Sequence, residues 1–221
     1  MSAAIAFFDF DGTLTLRDST TLCALPSVRL GFLRPALGLQ IAAAFAGYKL
    51  KIYPRASAHR LAFLCYRGRT QAEIDAGVRL LHERFVRPWY SAPMLAKVEE
   101  HRRRGDTLVV ATSAADFFPV PLAEAWGFDH VIGTRLRYQD GVCTGLVDGA
   151  IMDGEVKHRA ALAYAQRLGV PLNACTFYSD HIADLPLLEG VGTAVAVGPH
   201  QPLARLARAR GWPVIAQQAL T

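Results

Sequence analysis

The sequence is poor in paired cysteines, in long apolar runs and in charge, and each shortage excludes something. Its four cysteines, Cys23, Cys65, Cys143 and Cys175, are widely spread and form no CxxC pair, so a disulfide-stapled scaffold is excluded and a reducing cytoplasm is the expected compartment. Asp9 and Asp11 interrupt the opening apolar run, so no secretory signal is expected there. The longest weakly polar run, Pro35 to Tyr48, is well short of the roughly 20 residues that a membrane-spanning helix needs. No stable membrane insertion is expected, and the run reads as a buried or interfacial helix. Charged residues make up 19% of the chain against 52% apolar ones, a balance that excludes long disordered tails and fits a compact globule. At 221 residues the chain can bury one sizeable core and carry a smaller appendage.

What charge there is lies unevenly. Residues 17–88 hold 12 Lys/Arg against 4 Asp/Glu, and the rest of the chain 12 against 15. Such an asymmetry attracts anions, whether small phosphates, nucleic acid or a membrane face, and a solvated helical face accounts for it equally well.

The chain opens with AIAFFDFDGT, an apolar run rich in Ile and Phe that stops at a glycine and reads as a buried strand ending in a polar loop. Further runs of this kind are TLVVATSA from Thr107, ACTFYSD from Ala174 and TAVAVG from Thr193, with helical periodicity over Ala92–Arg104, Asp116–Trp126 and Glu155–Leu168. Alternating strands and helices imply an α/β fold, a parallel sheet covered on both faces with its ligand at the carboxyl ends of the strands. The polar residues that end the first three runs should therefore converge. Between the first two strands lie about 75 residues, Arg17 to Ser91, with helical periodicity and no convincing strand. A single crossover helix does not need that length, so 17–91 is expected as a helical cap domain inserted into a core of 1–16 and 92–221. Thr134 to Gly149 alternates around Asp140-Gly141 and reads as a β-hairpin.

Phosphoryl transfer from a monoester needs a nucleophile aligned behind phosphorus, positive charge on the equatorial oxygens and a proton for the leaving alkoxide. Asp9 and Asp11, two apart at a strand's end, can supply the nucleophile and the acid/base. Thr112 is expected to end the second strand, followed by the small residues Ser113 and Ala114 whose amides can approach a phosphate. Lys157 begins a helix, free to reach the same oxygens, and Asp180 and Asp184 follow the third strand, placed to hold a metal. Taken singly, Thr112 is as readily a helix N-cap and Lys157 a surface lysine; His181, beside Asp180, is expected as an exposed loop histidine.

DFDGT, the threonine of VVAT, Lys157 in GEVKHRAAL, and SDHIAD resemble the four motifs of the haloacid dehalogenase superfamily over nearly the whole chain. The large helical insert after the first motif is similar to the phosphoserine-phosphatase-like branch, subfamily IB. The resemblance implies a Rossmann-like three-layer core with a C1-type helical cap. It also implies Asp9 as nucleophile, Asp11 as general acid/base, Thr112 and Lys157 as phosphate binders, and Mg²⁺ held by Asp9, the Asp11 carbonyl and Asp180, with Asp184 orienting the metal shell. The fourth motif departs from the family pattern, with His181 and Ala183 in place of the usual small residue and Asn.

The implied substrate is a small phosphomonoester carrying an amine, such as phosphoserine or histidinol phosphate, because Asp18 falls seven residues after Asp11, where phosphoserine phosphatases typically carry an amine-binding Glu. Asp18 is also a plausible cap of the first cap helix. Lipid phosphates compete, since Leu30 to Leu50 is apolar and flanked by Arg34, Lys49 and Lys51 as an interfacial helix would be; sugar phosphates are a further alternative. A non-catalytic module binding nucleic acid or anionic lipid through Tyr48, Tyr53, Phe63 and Tyr66 among Lys49, Lys51, Arg55, Arg60 and Arg67 is a rival, but it has no need of the five-residue acid and lysine set, and no nucleic acid is expected. Two other motifs carry little. CALPSVR from Cys23 has tyrosine-phosphatase spacing without a glycine-rich loop, and GVGTAV lacks the third glycine of a dinucleotide fingerprint.

Overall fold

The structure, a computed structural model, describes residues 4–220 apart from Tyr53 and Pro199 and the side chains of Thr21, Leu22, Lys49 and Arg55. Tyr53, Lys49 and Arg55 of the basic and aromatic set thus lie outside the described side chains. Six parallel strands form one sheet in the order β3-β2-β1-β6-β7-β8: β1 (Ile5–Phe8), β2 (Thr107–Ala115), β3 (His130–Thr134), β6 (Thr176–Ser179), β7 (Thr193–Val197) and β8 (Val214–Ile215). The first strand, IAFF, has no polar position because both of its faces are covered. Ala6 and Phe8 face one core layer with Met94 and Val98 of α5 (Ala92–Arg104) and Leu122 of α6 (Val120–Trp126). Ile5 and Phe7 face the other, with Ala161 and Ala165 of α7 (Gly154–Arg167), Leu187 of α8 (Leu185–Gly190) and Leu203 of α9 (Gln201–Arg210). Complete burial of Phe7 and Phe8 is worth roughly 1.5–3 kcal/mol each. The three-layer α/β core is therefore as expected.

β1 pairs with β2 (Phe8 opposite Val110) and with β6 (Phe8 opposite Tyr178), which sets the ends of β1 and β6 side by side against the middle of β2. Asp9 and Asp180 then follow the two strand ends, and Thr112 lies within β2 two residues beyond Val110. Two strands were not expected: β3, whose HVIGT is too short to stand out, and the two-residue edge strand β8. The expected helix from Asp116 begins only at Val120, because Pro119 biases Phe118 away from helix and Pro121 is tolerated only within a helix's first turn. The hairpin forms as β4 (Leu136–Gln139) and β5 (Val142–Val147), with Asp140 and Gly141 both at positive φ in the turn.

Residues 17–91 contain α1 (Ser19–Arg29), α2 (Pro35–Lys49), α3 (Arg55–Phe63) and α4 (Gln71–Leu81) and no strand among the described residues. Leu30 to Leu50 is not one helix: Gly31 at φ +73° turns the chain before Pro35 starts α2 at its first turn. α4 starts at a capping box of Thr70 and Glu73. No helix among the described residues is long and apolar enough to cross a membrane.

Candidate active site

Asp9 emerges from β1 with its amide donating to the Tyr178 carbonyl of β6 at 2.9 Å. Its side chain is buried, and Lys157 donates to Asp9 Oδ1 at 3.0 Å. The same ammonium lies 2.7 Å from Asp184 Oδ1, while Ser179 donates to Asp184 Oδ2 at 2.7 Å. Lys157 is 1% exposed, so it is no surface lysine; α7 points it inward because Asp153 caps that helix with its side chain and fixes where the first turn begins.

The electrostatics follow from burial. Removal from water, opposed by Lys157 and reinforced by the charges of Asp184 and Asp180, pushes Asp9 up to about 7. Burial works against the charge on Lys157, yet Asp184 and Asp9 together hold its ammonium above the usual lysine range. Burial, followed by the neighbouring charge of Asp18, raises Asp11 well above the usual carboxylate range, against the pull of a hydrogen bond from Ser19 N to Oδ1 at 2.7 Å. Asp11 is thus biased towards the protonated form that a general acid needs, and its carboxyl group receives the first amide of α1.

Asp180 stands at the carboxyl end of β6 with Oδ1 buried and without a hydrogen-bond partner, and Oδ2 lies 3.4 Å from His200 Nε2. Gly12, at φ +76°, passes so close that a Cβ there would lie 2.3 Å from Asp180 Oδ2, so glycine is required both by the backbone conformation and by the carboxylate. Among the described residues no three His, Cys, Asp or Glu side chains gather into a metal-holding group. The pair Asp9 and Asp180, all-oxygen donors with one orphaned buried oxygen, nevertheless suits a hard divalent cation completed by a main-chain carbonyl.

Thr112 and Ser113 are buried, but the strand does not end at Thr112. β2 continues to Ala115, with a register shift against β3 between Ala111 and Ala115. Such a bulge re-aims the backbone next to a site. The Thr112 hydroxyl accepts from Ala114 N at 3.1 Å, and Thr134 donates to the Ser113 carbonyl at 2.8 Å. Asp18 immediately precedes α1, near enough to act on the titration of Asp11.

Three contributors escaped the sequence reading. His181 is no free loop residue: its Nδ1 accepts from Ala183 N at 3.0 Å, so Nε2 carries the ring hydrogen and donates to the Tyr48 hydroxyl of α2 at 3.3 Å. The departure in the fourth motif thus ties that loop to the helical insert. Gln217 donates to the carbonyls of Gly12 and Thr13 at 2.6 and 2.9 Å and accepts from Ser91 Oγ at 2.7 Å, pinning the loop after Asp9. His200 reaches Asp180 from the start of α9. No local pattern marks the roles of His181 and Gln217, whose partners lie between 126 and 205 residues away in sequence.

A family model described as haloacid dehalogenase-like hydrolase matches residues 6–189. A phosphoserine phosphatase of Mycobacterium tuberculosis is 31% identical over 221 residues, 96% of this chain and 70% of that protein. A histidinol-phosphatase of Neisseria meningitidis is 33% identical over 135 residues, 59% of this chain and 61% of that protein. The crystal structure of a Bordetella pertussis protein of unknown function superposes with a TM-score of 0.88 at 28% identity, covering 97% of this chain and 99% of that one.

Proposed function

Because the chain belongs to the haloacid dehalogenase-like hydrolases and is a phosphatase of that family, we propose that it hydrolyses small phosphomonoesters through a phosphorylated Asp9 with the help of Mg²⁺. The observation that carries this reading is the buried Lys157, held 3.0 Å from Asp9 and 2.7 Å from Asp184, at the carboxyl ends of β1 and β6 where Asp180 also stands. A buried ammonium beside one carboxylate is placed to attract the phosphoryl group of an anionic ester to that carboxylate.

In the first step a carboxylate oxygen of Asp9 attacks phosphorus. A P–O bond to Asp9 forms, the P–O bond to the alcohol breaks, and Asp11 gives its proton to the leaving alkoxide. In the second step Asp11, now ionised, takes a proton from water as the water oxygen attacks the same phosphorus; inorganic phosphate leaves and Asp9 is restored. Lys157, the Thr112 hydroxyl and the Ser113 amide bind phosphoryl oxygens. When bound by Asp9, the Asp11 carbonyl and Asp180, Mg²⁺ supplies the positive charge that offsets repulsion between Asp9 and the anionic ester. Asp184 orients Lys157.

Residues 17–91 act as a cap in this reading. Its two connections pair with one another: Thr15 bridges to Tyr90, Leu16 N donates to the Trp89 carbonyl at 2.8 Å, and Arg17 stacks 3.7 Å over the Trp89 ring. Paired connections of this kind suit a hinge that lets the cap exclude water during reaction. The substrates assigned are alcohol phosphates bearing an amine, with Asp18 as the amine contact, a choice supported by the names of the two enzymes to which the chain is similar. Hydrolysis of p-nitrophenyl phosphate should require Mg²⁺ and disappear in Asp9→Asn, which keeps shape and removes the nucleophile. Near-normal turnover in that variant refutes the reading.

A further inference from the structure

Beside Asp11 a cavity of about 80 Å³ opens between the core and the helical insert. Its catalytic edge is formed by Asp11, Ser19 and Ala114, and its depth by Ile41, Phe63, Ile74, Val78, Leu81 and Phe118. That is well above the roughly 10–15 Å³ needed to admit one water, so the space takes a group of at least small-ring size. Its wall is fixed by packing: the Phe32 ring lies where a Cβ on Gly77 would be, at 2.2 Å, which leaves α4 in direct contact with that ring.

The charge of the lining is the deciding feature. No Lys or Arg stands among the described residues that line the cavity. The cation on a neighbouring wall, Arg69, is taken up outside it, stacked 4.5 Å over the Phe32 ring and donating to the Gly31 carbonyl at 2.9 Å. The basic side chain in the described lining is His59, and a carboxylate placed here would be buried next to Asp11 with no Lys or Arg of the described lining to pair with, a disfavoured arrangement. An apolar ring would replace water against apolar side chains, which is favourable.

We propose that this cavity receives an uncharged, ring-sized part of the leaving group, so that the substrate is the phosphomonoester of a small alcohol bearing an apolar or weakly polar ring and no carboxylate. This deepens the phosphomonoesterase reading and rests on it, and it separates the two substrate classes that reading leaves together: phosphoserine-like zwitterions are rejected and ring-bearing alcohols or amino alcohols are accepted. Ile41, Val78 and Phe118 are the specificity-determining side chains.

The test compares wild type with two variants that fill the cavity, Val78→Phe and Ala24→Leu, the second kept in case the first does not fold. Initial rates are measured on ethyl phosphate, 2-phenylethyl phosphate and O-phospho-L-serine, and binding of 2-phenylethanol and L-serine is followed by ligand-observed NMR. In wild type kcat/KM for 2-phenylethyl phosphate should exceed that for phosphoserine by about 10²-fold, the discrimination a filled apolar pocket gives. A filled cavity should lower it at least about 10-fold while ethyl phosphate changes less than about 3-fold. Phosphoserine turned over as well as the phenylethyl ester, or equal losses on both alkyl esters in the variants, overturns the proposal. If no ester is hydrolysed, the phosphomonoesterase reading falls by itself; the cavity is then judged by binding, where 2-phenylethanol bound by wild type and not by the variants supports it and absence of binding overturns it.

Discussion

Replacing Lys157 by Met removes a single charge from a cluster that has no access to water. The ammonium lies 3.0 Å from Asp9 and 2.7 Å from Asp184, and all three side chains are 6% exposed or less. At an effective dielectric of about 20, each contact is worth about 6 kcal/mol before desolvation. Desolvation consumes much of that, and deleting one partner of a buried pair typically costs about 3–5 kcal/mol because the other charge is stranded. The cost must depend on pH. Asp9 titrates at about 7 even with Lys157 lowering it, so without Lys157 its folded-state value rises further. A carboxyl group whose folded-state value is raised adds stability at low pH, where the folded state keeps the proton, and loses it as pH rises through that value. Urea unfolding of Lys157→Met and wild type in EDTA should therefore differ by about 3–5 kcal/mol at pH 8.5 and by about 2 kcal/mol less at pH 5, where Asp9 keeps its proton and Asp184 alone loses its partner. A difference that does not change with pH, or one below about 1 kcal/mol at pH 8.5, refutes the assignment of Lys157 as counter-ion of this cluster. Activity should be lost at both pH values, since the phosphoryl oxygens lose their buried cation.

Asp11→Asn should lower hydrolysis of an alkyl phosphate by about 10²–10⁴-fold and that of p-nitrophenyl phosphate much less, because nitrophenolate leaves without a proton; equal losses on both esters argue against Asp11 as the acid. Gly12→Ala puts a Cβ 2.3 Å from Asp180 Oδ2 at φ +76° and should weaken Mg²⁺ binding by at least about 10-fold by calorimetry, with an additional strain of roughly 1–2 kcal/mol; unchanged affinity removes Asp180 from the metal site. Burial holds His82 down to about 4, with Nδ1 2.7 Å from the Tyr90 hydroxyl. The unfolded chain then binds a proton that the folded chain refuses, so stability is lost as pH falls from about 6.5 towards 4, by about 2–3 kcal/mol at pH 4.5. Denaturant unfolding at pH 7.5 and 4.5 should show this loss in wild type and a smaller one in His82→Gln, and identical losses would exclude His82 as its source.

The reaction class and the layering of the core were readable from local sequence. IAFF, TLVVA and TFYS are continuous apolar stretches because a central parallel strand is buried on both faces, and such runs, each ending in a polar residue of fixed type, are visible without any contact information. The positions of Asp9, Lys157, Asp180 and Asp184, proposed above as site residues, could be placed locally for the same reason, each lying at or near the terminus of its own strand or helix. Asp140-Gly141 announced the hairpin because the turn demands positive φ at both positions. Tertiary structure alone decided what depends on chain segments far apart in sequence. The strand through Thr112 runs on to Ala115 because β3, a strand too short to read, pairs beyond it with a bulge. His181 is engaged by Tyr48 from the helical insert, and Gln217 secures the loop of Gly12 from near the other end of the chain. The cavity beside Asp11 is assembled from the four helices of residues 17–91 and the end of β2, so its size and the absence of Lys and Arg from its described lining exist only once those elements pack. Local propensity and periodicity fix which segments become strands and helices, but the shape and charge of a space between them are set by long-range packing, which no single stretch of sequence carries.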